Sequence, residues 1–407
     1  MLDYSEVYAM LKKYGQEHIL QFYPSLTTMQ QEALLKSIQS INFSLLPLAL
    51  PAYTNKVNSN YSVLDACDIN EITHNKETYE EAGCSLIKEG QLAVLILAGG
   101  EGSRLGFEHP KGMLNVGTNK PLYLFEIMIN RIMEVVGSVC KWIPIIIMTN
   151  LACQSEIVDF FEFHSYFSYN KEYVYFYSQD LLPAIDYTGK IIMRTPDMLA
   201  MSPDGNGNWY KKMVESDLLC KLLNLGVKWI NVVSIDNVLQ KPADPVFLGA
   251  THLSTKKCGA KVVARAFPKE KVGILCNRNN RPSVIEYFEA ENLMYEKNSL
   301  GELKYKYGVI LNYLFDLHEL QKSDAIHMPI HLSRKKIPFC NHQGETVIPA
   351  NENGYKLETL TVDMIELVGS CLPYEINRKD EFAPIKNRTG VDSLESAQRI
   401  LSEKGVI

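Results

Sequence analysis

The sequence predicts an α/β protein built around a mostly parallel sheet. From residue 91 onward, apolar runs of strand length recur, each suited to a strand buried on both faces: LAVLIL, IPIIIM, YVYFY and WINVVSI. Helix-length amphipathic stretches such as PLYLFEIMINRIMEVVG separate these runs, which is the rhythm of βα units. Later strand-like runs follow one another closely: GAKVVARAF, VGILC and RPSVIEYFE. Their short spacing predicts an antiparallel addition that makes the sheet mixed.

The residues before the sheet predict a helical cap followed by an irregular segment. The stretch YSEVYAMLKKYGQEHILQFYPSL has recurring apolar positions, and Thr27 and Gln30 stand at the spacing of a capping box. Pro47, Pro51 and the polar run NKVNSNYS then interrupt the periodicity. We therefore expect residues 48–75 to be irregular and to lie on the surface.

Composition and charge indicate a folded globular protein and argue against nucleic acid and membranes as partners. Of the 407 residues, 46% are hydrophobic and 22% are charged, which is an ordinary globular balance. The net charge of −6, without a long run of one sign, gives no footprint for nucleic acid or an anionic membrane. The nine cysteines are scattered without a CxxC pair, and no apolar run is long enough to cross a bilayer. The sequence predicts a cytoplasmic protein without a nucleic-acid or membrane partner.

A glycine-rich turn with two cations follows the first buried strand, in LAVLILAGGEGSRLGFEHPKG. Glycines let the backbone approach phosphate oxygens, and Arg104 and Lys111 add fixed positive charge close behind them. The dinucleotide fingerprint GxGxxG does not fit, because Gly100, Gly102 and Gly106 have the spacing GxGxxxG, and the P-loop ending GK[ST] is absent. A tight turn without a ligand is the alternative, but the two cations favour a bound triphosphate.

These motifs resemble those of the eukaryotic UDP-sugar pyrophosphorylase family. LAGGEGSRLGFEHPKG is similar to the family's nucleotide signature, with Ser103 where threonine is commoner. YFYSQDLLPAI resembles its base-reading segment, SPDGNGNWY its glycine-asparagine loop and VSIDN its strand-end aspartate. The other similar segments follow in the family's order: RPSVIEYFE, YGVILNYLF, HLSRKKIPF, GYKLETL and RKDEFAPIKN. The resemblance runs from GQEHILQFY to about Asn387, and is greatest to members that use N-acetylglucosamine 1-phosphate.

The resemblance implies a fold and a division into domains. Residues 1–75 would form an N-terminal helical cap and wrapping segment. Residues 76–330 would form a Rossmann-like nucleotidyltransferase core with a mixed sheet. Residues 331–407 would form a C-terminal region that completes the active site. We expect this region to be shortened, because family members commonly continue well beyond APIKN.

The resemblance also implies an activity. It predicts a monomeric uridylyltransferase that makes UDP-N-acetylglucosamine and pyrophosphate from UTP and N-acetylglucosamine 1-phosphate, with Mg²⁺ or Mn²⁺. In-line attack on the α-phosphorus of UTP depends on positioning and charge neutralisation rather than on a covalent nucleophile. Three alternatives stay open. They are another sugar 1-phosphate such as glucose or N-acetylgalactosamine, a non-catalytic sensor of UDP-sugars, and a nicotinamide-dependent oxidoreductase, which the glycine spacing disfavours.

Specific residues would carry this activity if the resemblance holds. The UTP-binding positions would be Leu97, Ala98, Gly99, Gly100, Lys111, Gln179, Gly205, Asp236 and Lys356. The sugar-phosphate-binding positions would be Asn206, Glu286, Asn312 and Lys386. Catalytic roles would fall to Arg104 on the leaving pyrophosphate, Lys111 on the UTP phosphates and Lys386 on the sugar phosphate.

Residue chemistry agrees with the resemblance at two of these positions. The amide of Gln179 carries both a donor and an acceptor, as a uracil edge requires. Asp236 follows an apolar strand, so its carboxylate should emerge at the same sheet edge as the glycine turn and bind Mg²⁺ there.

Other stretches have a plainer interpretation on their residues alone. DGNGN would be an ordinary turn, and Glu286 the outward residue of an alternating strand. Asn208 and Trp209 depart from the residues usual in the family's animal enzymes, which affects the loop expected to shape the sugar pocket. The run RKKIPF has only three charges, too few for a polyanion patch, and we interpret it as a structural edge near the site.

Overall fold

The chain forms two compact units, each assembled from three separated segments. The computed structural model describes residues 3–46, 59–100, 102, 105–287, 289–290 and 293–407. The first unit combines the described residues of Met1–Asn58, Asp180–Asn208 and Met328–Leu360, and the second those of Ser59–Gln179, Trp209–His327 and Thr361–Ile407. The linear domain boundaries at 75/76 and 330/331 stay a prediction, because these contacts join segments that are distant in the sequence.

The α-helices of the described residues are numbered in chain order. They are α1 (Tyr4–Lys13), α2 (Thr28–Gln39), α3 (Ile69–His74), α4 (Lys76–Lys88), α5 (Leu124–Val139), α6 (Gln154–Phe163), α7 (Trp209–Glu215), α8 (Leu218–Asn224), α9 (Pro245–Leu253), α10 (Leu317–Lys322), α11 (Asp363–Val368), α12 (Arg378–Glu381) and α13 (Leu394–Glu403). None of these described helices has both the length and the apolar character needed to cross a bilayer.

The β-strands of the described residues are numbered in the same way. They are β1 (Tyr61–Ser62), β2 (Leu92–Leu97), β3 (Ile145–Thr149), β4 (Val174–Ser178), β5 (Leu181–Pro183), β6 (Ile185–Asp186), β7 (Met193–Thr195), β8 (Met198–Leu199), β9 (Met201–Pro203), β10 (Trp229–Ser234), β11 (Cys258–Ala264), β12 (Ile274–Arg278), β13 (Arg281–Ile285), β14 (Tyr307–Asp316), β15 (His331–Lys335), β16 (Phe339–Cys340), β17 (Thr346–Val347), β18 (Gly354–Glu358) and β19 (Leu372–Glu375).

A mixed sheet forms the centre of the second unit, as the sequence predicts. Its main path has the order β1-β12-β14-β10-β2-β3-β4, and β11, β13 and β19 pair beside this path. The strands β10, β2, β3 and β4 run parallel to one another, whereas β14 is antiparallel to β10, β11 and β12. Both β2 and β3 are wholly buried, which explains why their sequences are continuous apolar runs rather than alternating ones.

Helices cover this sheet through apolar faces. The helix α5 buries Leu124, Phe125, Ile129 and Ile132 in the main core. This burial confirms the amphipathic helix that the sequence predicts here. The helices α4 and α9 cross very closely at glycine: a Cβ on Gly83 would lie 1.9 Å from the Pro245 carbonyl oxygen.

The antiparallel addition is a hairpin of β12 and β13. Asn279 and Asn280 connect the two strands, with φ of 53° and 64°. A two-residue turn with positive φ at both positions matches the twist of a hairpin, and asparagine tolerates that conformation better than most residues. The predicted antiparallel part of the sheet is therefore confirmed.

The first unit contains the predicted helical N-terminus and a small antiparallel sheet of order β15-β18-β6. The helix α2 begins at the predicted capping box, where Thr27 accepts from the Gln30 amide and the Gln30 side chain returns to the Thr27 amide. The unit has a core of its own, which includes Val7, Leu11, Leu34, Ile38, Ile185 and Leu357.

One local prediction is wrong. Residues 48–75 were expected to be irregular, but Ile69–His74 forms α3, and the Asp68 side chain caps it by accepting from the Glu71 amide at 2.8 Å. Six residues make fewer than two turns, so this helix leaves no readable periodicity in the sequence. Pro47, Pro51 and the rest of 47–58 lie outside the described residues.

Candidate active site at the carboxyl edge of the parallel strands

Four neighbouring parallel strands of the second unit end at one edge of its sheet. The register pairs Ser234 with Leu97, Leu97 with Met148, and Thr149 with Ser178. The residues that follow these strand ends are therefore neighbours: Asp236 after β10, Ala98–Gly100 after β2, Asn150 after β3 and Gln179 after β4. Open α/β sheets bind ligands at this edge, so the structure brings together several of the residues predicted to bind nucleotide.

Lys111 and Asp236 form an ion pair at this edge. The distance from Lys111 Nζ to Asp236 Oδ2 is 3.2 Å, and the side chains are 13% and 25% exposed. The other carboxylate oxygen, Oδ1, accepts from the Ser234 hydroxyl at 2.8 Å, and the Lys111 amide donates to the Gly100 carbonyl at 3.1 Å. Both charges are thus fixed by the chain while part of each stays open to an incoming phosphate.

Gln179 lies against the backbone of the glycine turn. Its backbone amide donates to the Thr149 carbonyl at 2.9 Å. Its side-chain Oε1 lies 2.8 Å from the position that a Cβ on Gly99 would occupy. The Asn150 side chain donates to the Gly99 carbonyl at 2.9 Å and accepts from the Cys153 amide at 3.0 Å. The buried Asn150 therefore fixes the turn against which the side-chain amide of Gln179 packs.

The two glycines of this segment compared below differ in whether packing requires them. Gly112 is required by packing, because a Cβ there would lie 2.3 Å from Cε2 of the buried Phe125. A Cβ on Gly100 would meet no described atom within 4 Å, and the φ of Gly100 is not positive. Among the described residues, neither packing nor backbone conformation demands glycine at position 100, and Gly100 itself is exposed.

The segment that carries Lys386 is fastened directly beside Asp236. Buried Asn237 accepts from the Ala383 amide at 2.8 Å and donates to the Glu381 carbonyl at 2.7 Å. The Ile385 amide donates to the Asp236 carbonyl at 2.8 Å. The Lys386 side chain is 39% exposed, with Nζ 3.8 Å from an Asp392 carboxylate oxygen. Lys386 thus joins the same edge although it lies far from Asp236 in the sequence.

Two residues of this site were missed by the sequence analysis. Asn150 and Asn237 each follow an apolar strand, where asparagine is usually assigned to a turn. The available signal was their position within three residues of the ends of buried strands that meet at one edge. Their side chains hold the backbone of the candidate site, and their burial is 98% and 99% complete.

The residues at this edge fit a divalent cation that is also bound by phosphate. A hard ion such as Mg²⁺ takes one or two carboxylates and completes its shell with phosphate oxygens and water. Asp236 supplies one carboxylate, oriented by Ser234 and neutralised by Lys111. No group of three or more His, Cys, Asp or Glu in the described parts of the chain could form a metal cage. Asp236 is the residue here that would hold such an ion.

The predicted sugar-binding residues Glu286 and Asn312 of the second unit differ in burial. Glu286 directly follows β13 and is half-buried. Asn312 lies in β14 and is fully buried, with its Oδ1 2.8 Å from the Asn231 amide and its Nδ2 donating to the Lys241 carbonyl at 3.2 Å. Both ends of the Asn312 amide are therefore used by the chain itself.

Three predicted residues belong to the first unit. Gly205 has φ of 89°, and a Cβ there would lie 2.3 Å from the Thr359 carbonyl oxygen, so local packing by itself requires this glycine. Asn206 follows it in the same loop. Lys356 lies in β18, with Nζ 2.8 Å from a Glu358 carboxylate oxygen.

Two further sequence expectations concern the surroundings of these residues. Arg104 lies outside the described residues. Trp209, expected beside the sugar-pocket loop, is fully buried and packs against Tyr210 and Phe315 in the second unit.

The chain resembles known proteins over most of its length. The family model described as UTP–glucose-1-phosphate uridylyltransferase matches residues 53–403. UDP-N-acetylglucosamine pyrophosphorylase of Saccharomyces cerevisiae is 33% identical over 92% of this chain and 84% of its own. UDP-N-acetylhexosamine pyrophosphorylase-like protein 1 of Mus musculus is 32% identical over 95% of this chain and 81% of its own.

Solved structures agree with the fold. A putative UDP-N-acetylglucosamine pyrophosphorylase from Entamoeba histolytica is 32% identical, with a TM-score of 0.78 over 84% of this chain and 88% of that one. The uridine diphosphate N-acetylglucosamine pyrophosphorylase of Trypanosoma brucei is 27% identical, with a TM-score of 0.82 over 98% of this chain and 84% of that one. Given the family match and these near full-length similarities, the chain belongs to the UTP–glucose-1-phosphate uridylyltransferase family and is a UDP-sugar pyrophosphorylase.

Proposed function

We propose that the chain makes UDP-N-acetylglucosamine and pyrophosphate from UTP and N-acetylglucosamine 1-phosphate. Family membership supports uridylyl transfer to a sugar 1-phosphate, and the relatives named for N-acetylglucosamine or N-acetylhexosamine support the choice of sugar. Composition and charge favour small-molecule substrates over nucleic acid or membrane. Reduced, scattered cysteines favour a reducing cytoplasm, where we expect the chain to act as a monomer.

The observation that carries the proposal is the Lys111–Asp236 pair beside the open backbone at Gly100. A nucleotide triphosphate needs a backbone that it can approach, a fixed cation and a carboxylate for its metal, and the exposed Gly100, Lys111 and Asp236 support such a role at the carboxyl edge of β2 and β10. The site is accessible but held by hydrogen bonds, so little reorganisation is needed when phosphate arrives.

The proposed reaction is a single displacement at phosphorus. An oxygen of the sugar phosphate bonds to the α-phosphorus of UTP while the bond from that phosphorus to the bridging oxygen breaks, and pyrophosphate leaves. Lys386 would hold the attacking phosphate, Lys111 the UTP phosphates and Arg104 the leaving group. A bound Mg²⁺, or Mn²⁺, would neutralise phosphate charge beside Asp236.

Recognition of the uracil base would fall to the Gln179 amide on the turn held by Asn150. The polar contacts of Asn150 and Gly99 support this role, because a base-reading group has to be positioned rigidly. Roles for Leu97, Ala98, Gly205, Asn206 and Lys356 in nucleotide or sugar binding stay predictions from the resemblance. The same holds for Glu286 and Asn312.

A pyrophosphate-release assay with the purified full-length chain tests the proposal. Lys111→Ala and Asp236→Ala should each lower kcat/KM about 10²-fold or more, since Lys111 would neutralise the reacting phosphates and Asp236 would hold the metal ion that also does so. Lys322→Ala and Asp324→Ala are matched controls, because both side chains are 71% exposed on the surface of the same unit. Full activity in both site variants would show that this edge is not the active site.

A panel of sugar 1-phosphates tests the substrate. With UTP and Mg²⁺ held constant, N-acetylglucosamine 1-phosphate should give the highest kcat/KM, ahead of N-acetylgalactosamine 1-phosphate and glucose 1-phosphate. Glucose 1-phosphate turned over equally well would make the assignment to N-acetylglucosamine wrong. Tight binding of UDP-sugar without any pyrophosphate release would instead indicate a sensor.

A further inference from the structure

A buried glutamine in the second unit bonds to two separate parts of the candidate site. Gln240 lies in the loop after β10 and has no exposed surface. Its side-chain nitrogen donates to the Leu311 carbonyl in β14 at 3.0 Å, and its Oε1 accepts from the Asn237 side chain at 3.2 Å. The Asn237 side chain in turn holds the segment that carries Lys386. Gln240 therefore connects β14 to that segment through two hydrogen bonds.

The contact of Gln240 with β14 lies at a bulge in that strand. Residues 260–262 of β11 advance the ladder by two positions, whereas the paired residues 309–313 of β14 advance by four. Leu311, inside this bulge, has φ of 56°, a left-handed conformation that leucine rarely adopts. Such a backbone persists only where its surroundings hold it, and bulges beside active sites redirect side chains. Gln240 binds the carbonyl of the residue that most needs to be held.

The residues that follow Gln240 repeat the connection to β14. The Lys241 carbonyl accepts from the Asn312 side chain at 3.2 Å, and Asn312 Oδ1 accepts from the Asn231 side chain at 2.8 Å. Asn231 Oδ1 accepts from the Ala243 amide at 2.9 Å, which returns the network to the same loop. Gln240 and Asn312 are fully buried, so water does not readily replace a partner lost from this network. The loop and the bulge are thus held as one body.

We propose that Gln240 is a positioning residue for the sugar 1-phosphate, because it fixes the bulge of β14 relative to the segment that carries Lys386. This inference rests on the proposed function, in which Lys386 holds the attacking phosphate and β14 carries the predicted sugar-binding Asn312. Gln240 acts through these elements, since its burial keeps it from touching substrate. In-line attack depends on the distance between the attacking oxygen and the α-phosphorus, so a small shift of the segment lowers the rate. The turn predicted to bind UTP is fixed separately, by Asn150.

The variant Gln240→Met tests this role, because it removes both hydrogen bonds and keeps most of the side-chain volume. At saturating UTP, kcat/KM for N-acetylglucosamine 1-phosphate in the pyrophosphate-release assay should fall about tenfold or more. The affinity for UTP alone, from calorimetric titration of the full-length chain, should change less than about twofold. Gln91→Met is the matched control, since Gln91 is a buried amide of the same unit that precedes β2, at the opposite end of the sheet from the candidate site. It should change neither value by more than about twofold.

The comparison of these variants separates positioning from folding. If Gln240→Met does not fold, Gln240→Asn replaces it: the amide stays but is one methylene too short to reach both partners, and the same selective loss is expected. Equal losses of kcat/KM in the Gln240 and Gln91 variants, or a UTP affinity lowered as strongly as kcat/KM, would overturn the positioning role.

Binding of UDP-N-acetylglucosamine distinguishes failure of this inference from failure of the proposed function. A native chain that binds this UDP-sugar but releases no pyrophosphate contradicts the proposed function. Its Kd for the UDP-sugar then replaces kcat/KM, and binding about tenfold weaker in Gln240→Met than in Gln91→Met would still support the role of Gln240. Equal Kd values in the two variants would overturn that role, and a native chain with neither activity nor binding would overturn both proposals.

Discussion

Replacing Lys261 with methionine removes the centre of a buried ionic cluster in the second unit. The Lys261 side chain is completely buried, and its Nζ lies 2.6 Å from carboxylate oxygens of both Asp244 and Glu381. Asp244 caps α9, and Glu381 ends α12 just before the segment that carries Lys386. Methionine keeps much of the volume but takes the shared cation away from both carboxylates, of which Glu381 keeps a second ion pair with Lys241 at 3.3 Å.

The expected loss follows from burial. Breaking a buried ion pair by removing one partner costs about 3–5 kcal/mol, because the remaining charge stays desolvated. For a large domain, about 2 °C of Tm corresponds to 1 kcal/mol, so Lys261→Met should lower the Tm by about 6–10 °C. The matched control is Lys257→Met, whose pair with Asp316 at 3.1 Å is 45% and 15% exposed. An exposed pair contributes at most about 1 kcal/mol, so the control should lose no more than about 2 °C.

The pH dependence follows from opposite pKa shifts. Burial by itself raises the pKa of the Asp244 carboxyl, but Lys261 outweighs burial and holds that pKa below its ordinary value. Burial alone would lower the pKa of Lys261, but Asp244 and Glu381 hold it above its ordinary value. The Asp244 contribution is therefore present above about pH 4 and lost as the pH falls through its lower folded pKa. The Lys261 contribution is present below about pH 10 and lost as the pH rises through its higher folded pKa.

Differential scanning calorimetry across pH measures both effects. The Tm difference between the native chain and Lys261→Met should be largest near neutral pH. It should narrow in acid, where protonation relieves the unpaired Asp244 in the variant. A loss no larger than that of Lys257→Met, or a difference that does not change with pH, would refute the reasoning.

Three glycine substitutions give further tests. Gly99→Ala places a Cβ 2.8 Å from Gln179 Oε1, so the side-chain amide of Gln179 has to move. The KM for UTP in the pyrophosphate-release assay should then rise about tenfold. An unchanged KM would argue against base recognition by Gln179. Gly112→Ala forces a Cβ against Phe125 and should cost about 1–3 kcal/mol by urea unfolding, whereas no loss would mean that this packing yields easily. Gly137→Ala lies on the exposed face of α5 with no described atom within 4 Å, and should raise stability by about 0.8–1 kcal/mol; a decrease would contradict the helix-propensity argument.

Local patterns predicted local structure well. The run LAVLIL corresponds exactly to β2, because a strand buried on both faces leaves a continuous apolar run. Thr27 and Gln30 marked the start of α2, because a capping box is formed by residues three positions apart. Lys111 and Asp236 could be assigned to one edge because parallel strands end together.

Long-range pairing is what the sequence could not supply. The two compact units each combine three segments, and no local pattern records which distant segments pack together. For the same reason nothing in the sequence linked Asn237 to Ala383, or Asn312 to the buried Asn231 amide. Arg194 lines the same pocket as the lysines of the RKKIPF run although it lies about 140 residues earlier in the chain.

The attachment of the Lys386 segment to Asn237 sets the order of events during synthesis. Asp236 leaves the ribosome 150 residues before Lys386, which corresponds to about 8–30 s of translation. During that interval Asn237 lacks the Ala383 amide and the Glu381 carbonyl and keeps only its local partners Leu239 and Gln240. The polar end of β10 then has to be hydrated or shielded by a chaperone. A nascent chain can therefore fold its parallel strands early, but Asn237 makes its contacts with the Lys386 segment only after residue 383 has been made.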